Sequence, residues 1–198
     1  MHMHMRDQDI AGLERAFEVN EQDARVVVSG LSERQGAWRA QPGSWSVAEC
    51  LDHLATANRV YLAAMLPAAE RALAEGRSRR GPALPGVIGG WFVRSFEPPV
   101  KTFFKMKAPR KIRPRTSPPL DSAMEQFLAS QREVVAFLRR FAAIDLAGVV
   151  FPNPFIRGVR LSLATGLHVL AAHQRRHLLQ AWQVRRAAEQ SDDVSTVR

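Results

Sequence analysis

Residues 168–180 read HVLAAHQRRHLLQ, which places three of the chain's six histidines in one strongly helix-forming stretch. Imidazole ligates divalent metals, carries protons near neutral pH and hydrogen-bonds through two distinct nitrogens, so spacing decides which chemistry is open. At about 100° per residue, His173 and His177 point the same way from a helix, beside Leu163, Leu167, Leu170, Leu178 and Ala181. Both therefore border a core-facing stripe, whereas His168 falls off that face and reads as exposed or packed at a helix margin. Two imidazoles one turn apart can reach a common ion at ~2.0–2.1 Å. Two interface histidines, each hydrogen-bonded to a neighbour, account for the same spacing, because a buried group without a partner costs ~1–3 kcal/mol.

A third ligand separates the two readings, and His53 is the candidate. It shares a helix face with Glu49, Cys50, Ala57, Val60 and Ala64, the inward face of an earlier helix. Sites in helical bundles are built from side chains on facing helices. His53, His173 and His177 would leave positions open for water or substrate, as catalytic metal sites do. Glu49, one turn before His53, could orient that imidazole or take a proton from bound substrate; it also completes a capping box with Ser46. Gln180 could hydrogen-bond a ligand or a bound water, or simply sit at a polar bundle edge. Cys50 reads as a small buried hydrophobe and Trp45 as a staple where the chain enters the helix. His2 and His4, in MHMHM, could hold metal loosely but have no scaffold.

Four stretches carry the apolar period that positions these residues, and no comparable stretch alternates at period two. The first spans about Asp9 to Ser29. The second follows the Ser46 cap to about Glu75, with Pro67 as a potential kink. Pro119 opens the third, whose stripe runs from Met124 to Phe141, and the fourth extends from near Ser162 to about Ala188. The fold class is all-α: a four-helix bundle with a long crossover between helices 2 and 3, containing a short helix near Val87 to Ser95. One domain over 8–189 with flexible tails 1–7 and 190–198 accounts for the 198 residues. The lack of an apolar run of ~20 residues argues against a membrane protein. The N-terminus shows no signal-peptide pattern and Cys50 is the single cysteine, so a cytoplasmic protein without a disulfide framework is expected.

The net charge of +9 favours anionic partners. Seven basic residues fall between Lys101 and Arg115, interleaved with Phe103, Phe104 and Pro109. No zinc-finger, RNP or basic-zipper signature accompanies them, so nucleic acid ranks last and a small-molecule substrate first. Lys105, Arg110 and Lys111 could fold over the site and bind carboxylates of a substrate or cofactor.

The stretch PGSWSVAECLDHLATANRVYL (42–62) resembles the Trp-Ser-x-x-Glu-x-x-x-His motif of the DinB-like family, here Trp45, Ser46, Glu49 and His53. NPFIRGVRLSLATGLHVLAAHQRRHLLQAWQV (153–184) resembles its C-terminal half, with His173, His177 and Gln180, and FEPPVKTFFKMKAPRKIRP resembles a connecting segment of one branch. The resemblance covers most of residues 9–186. It implies a four-helix bundle holding a divalent metal on His53, His173 and His177; imidazole ligands suit zinc, nickel, iron and copper alike, with zinc, nickel or iron expected here. Characterised relatives include thiol-dependent S-transferases and a mycothiol-dependent maleylpyruvate isomerase, which implies a low-molecular-weight thiol as co-substrate, and paired bundles among relatives imply a homodimer. Leu178 and Leu179 stand where relatives commonly carry Arg-Gly after the last histidine. The alternative is a bundle that binds metal or a small ligand without turnover, as a stress-response protein would.

Overall fold

The computed structural model describes residues 2–98 and 108–196, with side chains over 9–98 and 108–191. In chain order the elements are α1 (His2–Val28), α2 (Glu33–Gly36), α3 (Val47–Ala74), α4 (Val87–Arg94), a 3₁₀ turn (Arg110–Ile112), α5 (Leu120–Arg140), β1 (Val150–Pro152), β2 (Arg160–Ser162) and α6 (Leu163–Thr196). The four long helices pack in a ring, α1 on α5, α5 on α3, α3 on α6 and α6 back on α1. The all-α bundle expected from periodicity is therefore the fold.

Local chemistry sets the helix starts. Ser46 Oγ accepts from Glu49 N–H at 3.2 Å while Glu49 Oε2 accepts from Ser46 N–H at 2.9 Å, the reciprocal capping box that begins α3. Gly43, at φ 82°, turns the chain just before it in a conformation an L side chain rarely adopts. Pro67 lies inside α3 on its exposed face, and α3 runs unbroken through it to Ala74. Pro119 stands at the N-cap of α5, with no N–H to leave unsatisfied. Three expectations shift: α1 begins at His2, α6 continues to Thr196, and α2 is an additional turn capped by Ser32 and Gln35.

Along each long helix the buried residues change character at the same level. One apolar cluster holds Leu13 and Phe17 of α1, Tyr61 and Met65 of α3, Val134 and Phe137 of α5, and Leu163, Leu167 and Leu170 of α6. A second holds Ala24, Val27, Leu51, Leu54, Ala123, Phe127, Leu178 and Ala181. Between them lies a buried amide layer with one member from each helix. Gln174 Nε2 donates to Asn58 Oδ1 (3.0 Å) and Gln131 Oε1 (2.7 Å), and Gln174 Oε1 accepts from Asn20 Nδ2 (3.0 Å). Burying each large apolar side chain contributes ~1.5–3 kcal/mol without choosing a register, because hydrophobic burial is non-directional. Hydrogen bonds are directional, so the amide layer fixes how far each helix slides along its neighbours.

The crossover is tied down at several points. Asp9 of α1 accepts from Arg79 and from Ala83 N–H, and Ser78 bridges Ile144. α4 packs on α6, and Glu97 pairs with Arg175. The antiparallel hairpin β1–β2 precedes α6 and buries Phe151 and Leu161. Gly166 admits Met65 and Phe151 so closely that an added Cβ would stand 2.8–2.9 Å from their atoms. A side chain there would hold α6 away from α3 and the hairpin.

Candidate metal centre

His53 lies on the second turn of α3, and His173 and His177 face it from α6. Their ligand-capable atoms all lie within 4.8 Å of one another, and ring centroids are 4.9 Å (His53–His173), 4.5 Å (His53–His177) and 4.6 Å (His173–His177) apart. His53 is 1% exposed and His173 9%. His168 is not part of this group; its Nε2 lies 3.1 Å from the Ala83 carbonyl, holding the crossover to α6.

Hydrogen bonding fixes which nitrogens are available. His53 Nδ1 stands 2.5 Å from the Ile112 carbonyl, which can only accept, so Nδ1 carries the proton and Nε2 offers its lone pair. His177 Nδ1 donates to Gln180 Oε1 at 2.9 Å, leaving its Nε2 in the same condition. Tying the outer nitrogen to an oxygen is how metal-ligating histidines are oriented and made more basic. His53 Nε2 accepts a hydrogen bond from His173 Nε2–H at 3.1 Å when no ion is bound. Two nitrogens bound to one tetrahedral ion at ~2.0–2.1 Å stand ~3.3 Å apart, so exchanging this hydrogen bond for a shared ion would need little movement of the two rings.

Electrostatics keeps the trio uncharged. Burial drives His53 down to about 4, against the upward pull of the Ile112 carbonyl and Asp52. Burial, then the neighbouring His53, brings His177 to about 3, and His173 is held well below the ordinary value by burial and by the other two rings. Arg176, its own pKa lowered by burial, adds repulsion against protonation of all three. Neutral imidazole is the form that ligates a metal. Three neutral imidazoles, two of them anchored from outside through Nδ1, suit a divalent ion of the zinc, nickel or iron kind, and imidazole does not choose among them.

Aromatic rings wall the group. The Trp45 indole lies 4.6 Å from the His53 ring and 5.5 Å from the His177 ring, and Phe96 meets His173 edge-on at 5.9 Å. The staple reading of Trp45 missed this: position 45 precedes the α3 cap, and the Gly43 turn brings its indole over a histidine two helical turns further on. Phe96 and the Ile112 carbonyl come from the crossover, where no periodicity signals placement.

The remaining predicted residues fall as follows. Both oxygens of Glu49 are engaged, by Arg39 Nε (2.8 Å), Arg39 Nη2 (2.7 Å) and Ser46 N–H. Burial alone would raise its pKa, but these donors and the Arg39 charge leave it lowered. Arg110 and Lys111 are exposed on the 3₁₀ turn whose Ile112 carbonyl anchors His53. Lys105 lies outside the described residues. Arg115 binds Asp52 through its backbone N–H (2.8 Å) and Nε (2.7 Å), fastening this end of the crossover to α3 one residue from His53. Cys50 is fully buried, and burial pushes its thiol pKa up, so it is a hydrophobic packing residue.

The fold and site together define a helical bundle with an inward-facing three-histidine cluster contributed by two facing helices. The sequence profile of the DinB superfamily matches residues 16–181, and the chain belongs to that superfamily. No curated protein and no solved structure gives a significant match. Among the described residues no helix is long and apolar enough to cross a membrane.

Proposed function

We propose that the chain is a divalent-metal-dependent enzyme in which His53, His173 and His177 hold the ion and a low-molecular-weight thiol attacks an electrophilic small molecule. The observation that carries this reading is the tautomer arrangement: two of the three imidazoles have Nδ1 committed to an outer oxygen and Nε2 turned inward. A divalent ion supplies Lewis acidity, favouring the thiolate over the thiol near neutral pH. The chain's own residues orient and desolvate. Trp45 and Phe96 present apolar ring surface beside the imidazoles, and Arg110 and Lys111, with Lys105, supply positive charge for carboxylates of the thiol or its partner. Glu49 enters as acceptor of the thiol proton, a role that requires Arg39 to release one of its oxygens.

The test is metal content by elemental mass spectrometry on full-length protein carrying His2→Gln and His4→Gln, beside folded His53→Ala, His173→Ala and His177→Ala variants. About one metal per chain, lost in all three, supports the site. Thiol-dependent consumption of an electrophile, abolished in the same variants, then supports the enzyme. Metal binding without turnover of any thiol–electrophile pair points to the non-catalytic binding protein instead. Replacing Lys105, Arg110 and Lys111 by Gln should raise KM with little change in kcat; an unchanged KM removes them from the site. Glu49→Gln keeps the capping box, for which Gln serves as well as Glu. A fall in kcat, with the loss of the Arg39 ion pair controlled for by Arg39→Gln, identifies the proton acceptor, and unchanged kcat limits Glu49 to capping α3 and pairing with Arg39.

A further inference from the structure

We infer that Trp45 is a positioning residue of the metal centre, its indole face selectively stabilising His53 and His177 when they carry an ion. The inference rests on the metal reading above and goes beyond it, because it assigns a role to a residue that cannot itself ligate. Trp45 occupies the turn before α3 rather than a bundle helix, yet its ring contacts imidazoles from both α3 and α6, tilted by 48° to His53 and 34° to His177. Single-ring contact would be ordinary packing. Contact with two members of a three-member cluster, from an element outside the cluster, places one π surface against two candidate ligands.

The chemistry follows from the change in charge. A neutral imidazole against an indole is worth little beyond its buried area, whereas an imidazole bound to a divalent ion shares that ion's positive charge. Indole presents the most electron-rich face among the side chains, and cations within ~6 Å of its centroid are attracted to it. The two imidazole rings that would share the charge lie 4.6 and 5.5 Å from the indole, centroid to centroid. Trp45 therefore favours the loaded over the empty site, the condition for raising affinity rather than merely stabilising the fold. His173 lacks this contact and meets Phe96 instead, so its dependence on Trp45 is indirect.

Zinc affinity should be measured by chelator competition on full-length wild type, Trp45→Phe and Trp45→Leu, all with His2→Gln and His4→Gln. Near-ultraviolet circular dichroism and the melting temperature of chelator-treated protein report on folding. Expected are an about tenfold loss for Trp45→Leu and a loss of no more than about threefold for Trp45→Phe, which restores a π face. Cobalt titration should quench tryptophan fluorescence in wild type, and Trp45→Phe should lose that component while Trp38, Trp91 and Trp182 remain. If Trp45→Leu fails to fold, global replacement of tryptophan by 5-fluoro- and then 5,7-difluorotryptophan weakens the π face without changing its shape. Zinc affinity should then fall stepwise. Wild-type affinity in Trp45→Leu, equal weakening by Phe and Leu, or no response to fluorination overturns the inference. A wild type that binds no zinc, cobalt, nickel or iron overturns the metal reading, and the inference with it.

Discussion

Replacing Gln174 by Leu tests the claim that the amide layer sets the helix register on which the histidines depend. The side chain is fully buried and makes three of the layer's hydrogen bonds, two as donor and one as acceptor. Their loss is unequal. Asn20 Nδ2 keeps the Ala171 carbonyl at 3.1 Å, and Gln131 Oε1 keeps only a long contact from Asn58 Nδ2 at 3.4 Å. Asn58 Oδ1 keeps none of the hydrogen bonds described above. One orphaned acceptor at ~1–3 kcal/mol and one weakened bond at ~0.5–1.5 kcal/mol give about 3 kcal/mol, less the small gain from a more apolar side chain. For a domain of this size that lowers the melting temperature by roughly 6–12 °C. Urea denaturation should show a lower midpoint with an unchanged slope, since the exposed area on unfolding stays the same. Adding Asn58→Leu removes the orphaned acceptor, so the double variant should be more stable than the sum of the two single losses predicts. A Gln174→Leu protein within about 0.5 kcal/mol of wild type, or strict additivity with Asn58→Leu, would refute the view that these amides bind one another in a single network.

Four further outcomes are expected. Gln180→Leu takes the oxygen from His177 Nδ1, so zinc affinity should fall by about 10–100-fold with little change in the melting temperature of chelated protein; unchanged affinity in competition titration would show that the hydrogen bond does not orient the ring. Loading metal to 100 times its Kd should stabilise the protein by ~2.7 kcal/mol and raise its melting temperature by roughly 5–10 °C, reversed by chelator in a calorimeter. In acid the three histidines set the sign: their folded pKa values lie below the unfolded 6.5, at about 4 for His53 and about 3 for His177, so the unfolded chain takes up their protons first. Metal-free stability should be full above pH 6.5 and fall towards pH 4 by up to ~1.4 kcal/mol per pH unit per imidazole, with a shallower slope in His173→Gln; equal slopes in the two proteins would sink this account. Asp52→Ala removes the carboxylate that accepts from both the Arg115 N–H and Nε, so amide hydrogen exchange should quicken over residues 110–117 while the α5 interior stays protected.

How far the sequence could be read depended on whether a signal was periodic. The stripes from Leu13 to Val27, Leu51 to Met65, Phe127 to Phe141 and Leu163 to Ala181 repeat with the helix, and each is buried in the bundle. The same arithmetic put His173, His177 and His53 on inward faces, and the structure brings them together. Where the backbone is irregular the reasoning ended. The hairpin at Val150–Pro152 and Arg160–Ser162 is three residues a strand, too short for alternation to register. Ile112, Phe96 and Trp45 reach the site from segments outside the long helices, so their partners are fixed by tertiary placement alone. Glu49 shows a different limit: the capping box was legible from Ser46-x-x-Glu49, but Arg39, ten residues upstream, carries no local pattern pairing it with that carboxylate.

Two groups of polar residues interrupt the apolar core at nearly the same level, and their chemistry separates structure from function. Asn20, Asn58, Gln131 and Gln174 carry donors and acceptors in equal supply and bind one another, so the layer nearly closes on itself; among its described atoms Asn20 Oδ1 alone stands without a partner. The histidines are arranged the opposite way. His53 and His177 spend their donor protons outward, on Ile112 and Gln180, and keep their acceptors for the interior. A neutral His173 can meet this by donating its Nε2–H to His53 Nε2 at 3.1 Å, while burial together with Arg176 disfavours a second proton on any of the three rings. Leucine or methionine at positions 53, 173 and 177 would continue the stripe and spare the desolvation of three imidazoles. Natural sequences depart from their own pattern in this way chiefly at functional sites. The hydrogen bond from His173 satisfies His53 without any ion, and the outward commitment of the His53 and His177 Nδ1 protons leaves their other nitrogens in the form a cation would take.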